Sequence, residues 1–288
     1  MGERVLVTGG SGRLGTQLVQ DLVTNGHEVV AVDRVAPREP LPAGATYREA
    51  DLSDIGQIAG AMKGCTAFAH LGAIPSPYRH ADEVVFTNNT VATFSVLQAA
   101  SLLGLTHGAI ASSGSIYGTA WSPHQMFHPY APVDEAAPLR NFDAYGLSKE
   151  VDERTAEMFC RRDGVTIACL RFHWVARPEE LANRAGSHYH DEEAFREGGR
   201  GFWGYVDVRD AAQAVRLAIE VGAREPFGCE AFNIVGRDTL LDIPTEEAIR
   251  RLDPSIEIRG SLAGFAAPWD CSKAQAVLGW EPEFGWRN

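Results

Sequence analysis

A chain of 288 residues with 45% hydrophobic and 22% charged side chains can bury a core as one large α/β domain, or one such domain with a smaller lobe, without disulfides or metals. A formal charge of −12 and the lack of any Lys/Arg run argue against nucleic acid or an anionic membrane as a main partner. Five scattered cysteines (65, 160, 169, 229, 271) form no CxxC pair, so no disulfide framework or zinc site is expected and a reducing cytoplasm fits best. The apolar run from Arg4 leaves no room for a signal peptide.

Arg4 to Thr8 is a short apolar run ending in glycines, the pattern of a buried parallel strand. A helix follows with Leu14, Leu18, Val19 and Leu22 on one face, closed by Asn25-Gly26. Strands are predicted at His27–Asp33 and Tyr47–Ala50, a helix from about Ser53 to Met62, and a strand at Thr66–Leu71. A long helix from about Asp82 to Leu103 leads to a strand at His107–Ser113. The stretch Val84–Val133 carries no Asp, Glu, Lys or Arg, yet polar residues, glycine and proline interrupt it, so it reads as core or subunit interface and not as a membrane span. A helix at Ala144–Arg162 and a strand at Val165–Arg171 complete a doubly wound parallel sheet of the Rossmann type. Residues 176–204 read as a polar, glycine-rich loop region. A strand at Tyr205–Val208, a helix to about Val221, a strand at Ala231–Val235 and two short tail helices follow. The expected division is a dinucleotide-binding domain over 1–171 and a substrate lobe over 172–288, interleaved with the last strand and helix of the first domain.

The first strand runs into Thr8-Gly9-Gly10-Ser11-Gly12-Arg13-Leu14-Gly15, with glycines 9, 12 and 15 spaced G-x-x-G-x-x-G. Glycine there permits a sharp turn, close approach of backbone to a pyrophosphate, and tight helix–strand packing, while the helix N-terminus offers free N–H groups. Asp33 ends the next strand, where a carboxylate binds ribose hydroxyls and repels a 2′-phosphate, which favours NAD. Arg34 and Arg13 are each able to pair with that phosphate, so NADP stays open. Further on, Tyr145 and Lys149 stand four apart on a helix, one turn above each other. An ammonium so placed stabilises phenolate and suits a tyrosine that moves protons.

These motifs occur together with Asp51-Leu52, His70-Leu71-Gly72-Ala73, Ser112-Ser113-Gly114-Ser115-Ile116-Tyr117-Gly118, Leu170-Arg171-Phe172 and Tyr205-Val206-Asp207-Val208-Arg209-Asp210. In this order, and over nearly the whole chain, they resemble an extended short-chain dehydrogenase/reductase of the NAD-dependent epimerase/dehydratase family. The resemblance implies a cofactor site that includes Gly9, Gly12, Arg13, Leu14, Gly15, Asp33, Arg34, Asp51, Leu52, Leu71, Gly72, Ala73, Asn89, Tyr145, Lys149 and Phe172. It also implies catalysis by Tyr145, Lys149 and a serine, Ser113, with Ser112 and Ser115 as rivals. Asn89 has a second reading, in which it ties down a neighbouring loop.

The chain departs from the family where sugar-nucleotide enzymes carry Arg-Phe-Phe-Asn, since Arg171-Phe172-His173-Trp174 stands there. The segment before Tyr205 is short for a lobe that wraps a nucleoside diphosphate, and Arg200 is the nearest arginine to the family's diphosphate contact. The compact lobe is similar to uronate dehydrogenases, although those lack this tail. Gly114-Ser115 replaces the acid/base pair of a dehydratase. Candidate substrate residues are Ser76, Ser115, His173, Trp174 and Arg177. No metal is expected, and the His188–Glu193 stretch reads as solvated surface. His124 and His128 read as ordinary loop residues or a lid, and Trp121 and Trp203 as core or lid.

The expected function is an NAD(P)-dependent oxidoreductase acting on a hydroxyl of a sugar, sugar acid or related polyol. The alternatives are an NAD-dependent nucleotide-sugar 4-epimerase and a non-catalytic NAD(P)-binding sensor. A homodimer is implied, with the 82–103 and 144–162 helices in a shared bundle and Val96 or Leu97 at its interface.

Overall fold

The computed structural model describes residues 2–287. In chain order they form β1 (Arg4–Thr8), α1 (Arg13–Thr24), β2 (Glu28–Asp33), β3 (Ala45–Glu49), α2 (Ile55–Met62), β4 (Ala67–His70), α3 (Asp82–Leu102) and β5 (His107–Ser113). Then come β6 (Tyr130–Ala131), α4 (Ala144–Asp163), β7 (Thr166–Phe172), β8 (Trp174–Ala176), α5 (Pro178–Arg184), α6 (Glu192–Gly199) and β9 (Tyr205–Asp207). The chain closes with α7 (Val208–Arg224), β10 (Cys229–Ile234), α8 (Thr245–Leu252), β11 (Glu257–Ile258) and α9 (Ser272–Leu278).

Seven strands make one parallel sheet in the order β10-β7-β5-β4-β1-β2-β3. The order reverses between β1 and β4, and the crevice beyond the strands' carboxyl ends opens there. Val5 and Val7 face one helical layer with Leu18, Val19 and Leu22 of α1, while Leu6 faces the other with Val96 of α3. Burial on both faces is why β1 reads as an unbroken apolar run. Each such side chain contributes about 1.5–3 kcal/mol by leaving water.

A second apolar core forms the lobe and includes Tyr117, Tyr130, Phe195, Phe202, Trp203, Tyr205, Ile249 and Trp269. Residues 116–137, ahead of the expected division at 171, pack into this lobe core, while α7 and β10 return to the sheet. The region expected to be loop holds α5 and α6. In α6 only one turn-to-turn stripe is buried, with Phe195 inward and charged residues outward, so eight residues were too short to reveal the period. The pairs β6–β11 and β8–β9 are only two and three residues long.

Cysteines distant in sequence meet, since Cys160 of α4, Cys169 of β7 and Cys229 of β10 lie within thiol hydrogen-bonding reach as free thiols. Among the described residues no cluster of three or more His, Cys, Asp or Glu is arranged to hold a metal, and no helix is long and apolar enough to cross a membrane.

Candidate active site

A cleft of about 1790 Å³ runs across the carboxyl edge of the sheet, from Asp33 at one end to Trp203 at the other. Gly9 has φ +68°, and a Cβ on it would lie 2.9 Å from the Gly72 nitrogen. A Cβ on Gly15 would meet the Gly9 carbonyl oxygen at 2.0 Å, and one on Gly72 would meet Leu52 Cδ1 at 2.3 Å. Backbone therefore packs on backbone around the loop. Gly12 caps α1 with no side-chain hydrogen bond, and no acidic residue sits in the first turn, so the helix's N-terminal field points into the cleft. Leu14, Arg34, Asp51, Leu52, Leu71 and Ala73 line the same stretch. Asp33 accepts from the Ser11 nitrogen at 3.2 Å and the Val35 nitrogen at 3.3 Å, which fixes its carboxylate at the cleft's end. A glycine cradle, an uncapped helix start and a fixed carboxylate together fit an adenine dinucleotide.

Two of the expected cofactor contacts are placed differently. Arg13 is held by the Val175 carbonyl at 2.5 Å and by Glu180 at 2.7 Å, so its charge is spent on the lobe and is not free for a 2′-phosphate. Asn89 is 1% exposed and lies outside the cleft wall. It accepts from the Ile74 nitrogen at 2.8 Å and donates to the Ile74 carbonyl and to Ser148 Oγ, which pins the loop after β4 to α4.

At the cleft's centre the strand period of two sorts the rival serines. Ser112 turns away and donates to Glu153 at 2.6 Å, where Arg171 also binds through two nitrogens at 2.9 and 2.8 Å. Ser113 ends β5 and caps the turn Gly114–Tyr117. Its Oγ accepts from the Ser115 nitrogen and lies 3.1 Å from Ser115 Oγ, which receives the Trp121 indole N–H at 3.0 Å. Asp143 caps α4 by accepting from the Gly146 nitrogen at 2.7 Å, so Tyr145 stands in the first turn and Lys149 in the next. The Lys149 ammonium lies 6.0 Å from the Tyr145 ring centre and donates to the Ala111 carbonyl at 2.8 Å. Ser113, Tyr145, Lys149 and Phe172 thus share one wall with the nucleotide cradle.

On the lobe side His173 lies over Gly114, where a Cβ would meet its Nε2 at 2.5 Å, and its ring centre is 3.8 Å from that of Trp269. Burial pulls the imidazole down to about 3, so it is neutral at pH 7. Trp174 packs on the Arg184 guanidinium at 4.9 Å, and both line the cleft with Arg177. Ser76 is outside it, because its hydroxyl is turned to the Tyr78 nitrogen in a local turn. His128 is buried, bonded to Thr119 at 2.9 Å and packed on Trp269, so it serves the wall and not a mobile lid. His124 packs edge-on against Phe142, and His190 pairs with Asp242 at the surface. Phe202 and Trp203 have φ of 51° and 52°, a conformation bulky residues rarely adopt, and Trp203 lines the cleft. Sequence reading missed Arg184 and Tyr189, which line the cleft from elements with no motif, and Trp269, which backs His128 and His173.

Residues 5–234 match the NAD dependent epimerase/dehydratase family. The UDP-glucose 4-epimerase of Corynebacterium glutamicum is 25% identical over 97% of this chain and 91% of its own length. The uronate dehydrogenase of Pseudomonas putida is 28% identical over 58% of this chain and 59% of its own. Among solved structures, a UDP-galactose 4-epimerase superposes with a TM-score of 0.70 at 28% identity, covering 98% of this chain and 94% of that one. MoeE5 in complex with UDP-glucose and NAD gives 0.70 at 26% identity, covering 99% and 95%. A glycine cradle, a Tyr-x-x-x-Lys helix and a serine on one cleft, within a match spanning most of the sequence, place this chain in the NAD-dependent epimerase/dehydratase family.

Proposed function

We propose that the protein oxidises or reduces a hydroxyl-bearing carbon of a sugar acid or related sugar, with Tyr145, Lys149 and Ser113 as the reacting group's partners. The observation that carries this reading is the shared wall of the cleft, where these three side chains stand beside the glycine cradle. Bound NAD supplies the hydride acceptor or donor. Tyr145 as phenolate removes the hydroxyl proton, or as phenol returns it, and Ser113 hydrogen-bonds the same oxygen. Lys149 stabilises the phenolate. Gly9, Gly15 and Gly72 admit the pyrophosphate, and Asp33 receives the adenosine ribose.

The anionic substrate class is supported by charge. Arg177, Arg184 and Arg200 line the lobe side, and none forms an ion pair with a described carboxylate, although the chain's net charge is −12. Arg200 is anchored by the Ser122 carbonyl at 2.5 Å, which leaves its charge uncompensated. A carboxylate or phosphate on the substrate would supply what is missing. The neutral His173 ring over Gly114 leaves no space there for the acid/base pair of a dehydratase. The nucleotide-sugar 4-epimerase reading is supported by full-length similarity to the epimerase of C. glutamicum.

The nucleotide released by denaturing the purified protein separates the two. A dehydrogenase is expected to arrive empty and to reduce added NAD with D-glucuronate or D-galacturonate. Stoichiometric NAD retained through purification, with conversion of UDP-glucose and no net NADH, would establish the epimerase instead.

We also propose a homodimer through α3 and α4, but not through Val96 and Leu97, which are 0% and 2% exposed inside the monomer's own core. The exposed apolar side chains Phe94 and Leu102 of α3 and Leu147 of α4, none of which lines the cleft, supply the face. Phe94→Asp is expected to convert a dimer to monomer on gel filtration, and an unchanged elution volume would remove this interface.

A further inference from the structure

Behind the catalytic wall a chain of buried polar groups links the nucleotide cradle to Lys149. Thr8 Oγ1 accepts from the Leu71 and Gly72 nitrogens, both at 3.2 Å, so its own proton goes to His70 Nδ1 at 2.8 Å. His70 is neutral, since burial first and Lys149 second pull it down to about 3. Its remaining N–H, on Nε2, therefore donates to Thr93 Oγ1 at 3.1 Å. That leaves the Thr93 hydroxyl proton free to turn toward Asp152, whose buried Oδ1 has no hydrogen-bond partner among the described residues. Asp152 is 1% exposed, and its Oδ2 lies 3.1 Å from the Lys149 ammonium. Burial pushes the Asp152 carboxyl up, and Lys149 and Thr93 pull it back.

We propose that Asp152 is a positioning residue that sets, through Lys149, the pH at which Tyr145 becomes a base. This rests on the catalytic role given to Tyr145 and Lys149 above. An ammonium has three donors. Ala111 and Asp152 take two of them, which leaves one directed at the cleft. The carboxylate also offsets the positive charge that Tyr145 feels. A second carboxylate, Asp143 of the α4 cap, accepts from the Gly146 and Tyr145 nitrogens and stays unchanged in every variant of the test. From β4 comes neutral His70, from α3 the uncharged Thr93, and from β5 the Ala111 carbonyl. Glu153 of α4 is matched by Arg171 of β7 at 2.8 Å.

The test is a tyrosinate absorbance titration of the ligand-free protein, with the same variant carrying Tyr145→Phe subtracted to isolate one phenol. Asp152→Asn keeps the shape and deletes the negative charge. Its Tyr145 edge is expected about one pH unit below that of the unaltered protein, with Asp152→Glu returning it. An edge that coincides with the unaltered one, or moves upward, overturns the proposal, because a merely structural carboxylate would not shift it downward. Asp152→Ser fits the same space and reads the same shift should the amide variant fail to fold. NAD titration of the unaltered protein, followed by fluorescence, is run alongside. Failure to bind NAD would sink the functional reading while leaving the tyrosinate result interpretable by itself.

Discussion

Tyr145→Phe is expected to lower turnover by about 10²–10⁴-fold while NAD binding stays within about threefold of the unaltered protein. The ring remains in the cleft wall, where Tyr145 is only 8% exposed, so packing is retained and a single oxygen is lost. That oxygen is the one group of the proposed triad able both to take and to return a proton. Ser113 and the held Lys149 remain in place and account for residual rate. The measurement is kcat with D-glucuronate or UDP-glucose, whichever the unaltered enzyme turns over, beside a fluorescence titration with NAD. Turnover within tenfold of normal would remove Tyr145 from the proton path.

The second large effect is acid lability arising from three buried imidazoles. Burial pulls His70, His128 and His173 each down to about 3, with Lys149 adding to the effect on His70 and His173 to that on His128. A folded-state value below the unfolded value near 6.5 means that the unfolded chain binds the protons and the native chain refuses them. Stability from this source is complete above about pH 6.5 and is lost as pH falls toward 3. Between pH 7 and pH 5 each histidine costs about 2 kcal/mol, and the three together about 5–6 kcal/mol, a large part of a typical domain's stability. Asp210 works the other way. Burial raises it to about 6, so its protonation on acidification recovers part of the loss. Urea midpoints at pH 7 and pH 5 should differ strongly, and His128→Gln, which keeps a polar partner for Thr119, should flatten the dependence by about a third. Equal midpoints at the two pH values would mean that these rings are hydrated or charged in the native protein.

Local signals were enough to locate most of the sheet. β1 spans Arg4–Thr8 and β5 spans His107–Ser113, as read from runs of apolar residues, because a strand buried on both faces needs them. α1 was legible from its buried stripe and its Asn25-Gly26 stop. The glycine-rich turn announced itself, since a Cβ at Gly9 or Gly15 would strike backbone. The Tyr145/Lys149 pair was equally legible, because one helical turn sets its spacing without reference to any other element.

Everything that depends on a distant partner was decided by the tertiary structure. Whether Ser112 or Ser113 faces the cleft follows from where Glu153 and Arg171 lie, and no spacing within the serine run reveals that. Arg13 lies in a nucleotide motif, yet Glu180, 167 positions away, claims it. Val96 and Leu97 sit on a helix with apolar residues all round, so periodicity did not distinguish the face that meets the sheet from the one that meets solvent. The lobe was the least legible part, since His128 and His173 reach the cleft from separate segments and pack there against Trp269 of a third. By itself, then, the sequence determined the parallel sheet, the glycine-rich turn and the one-turn spacing of Tyr145 and Lys149, all of which rest on local spacing and short-range sterics. Which side chains shape the substrate end, and how His70 and Thr93 come to cover the Lys149–Asp152 pair of α4, was decided only when long-range packing brought those segments together.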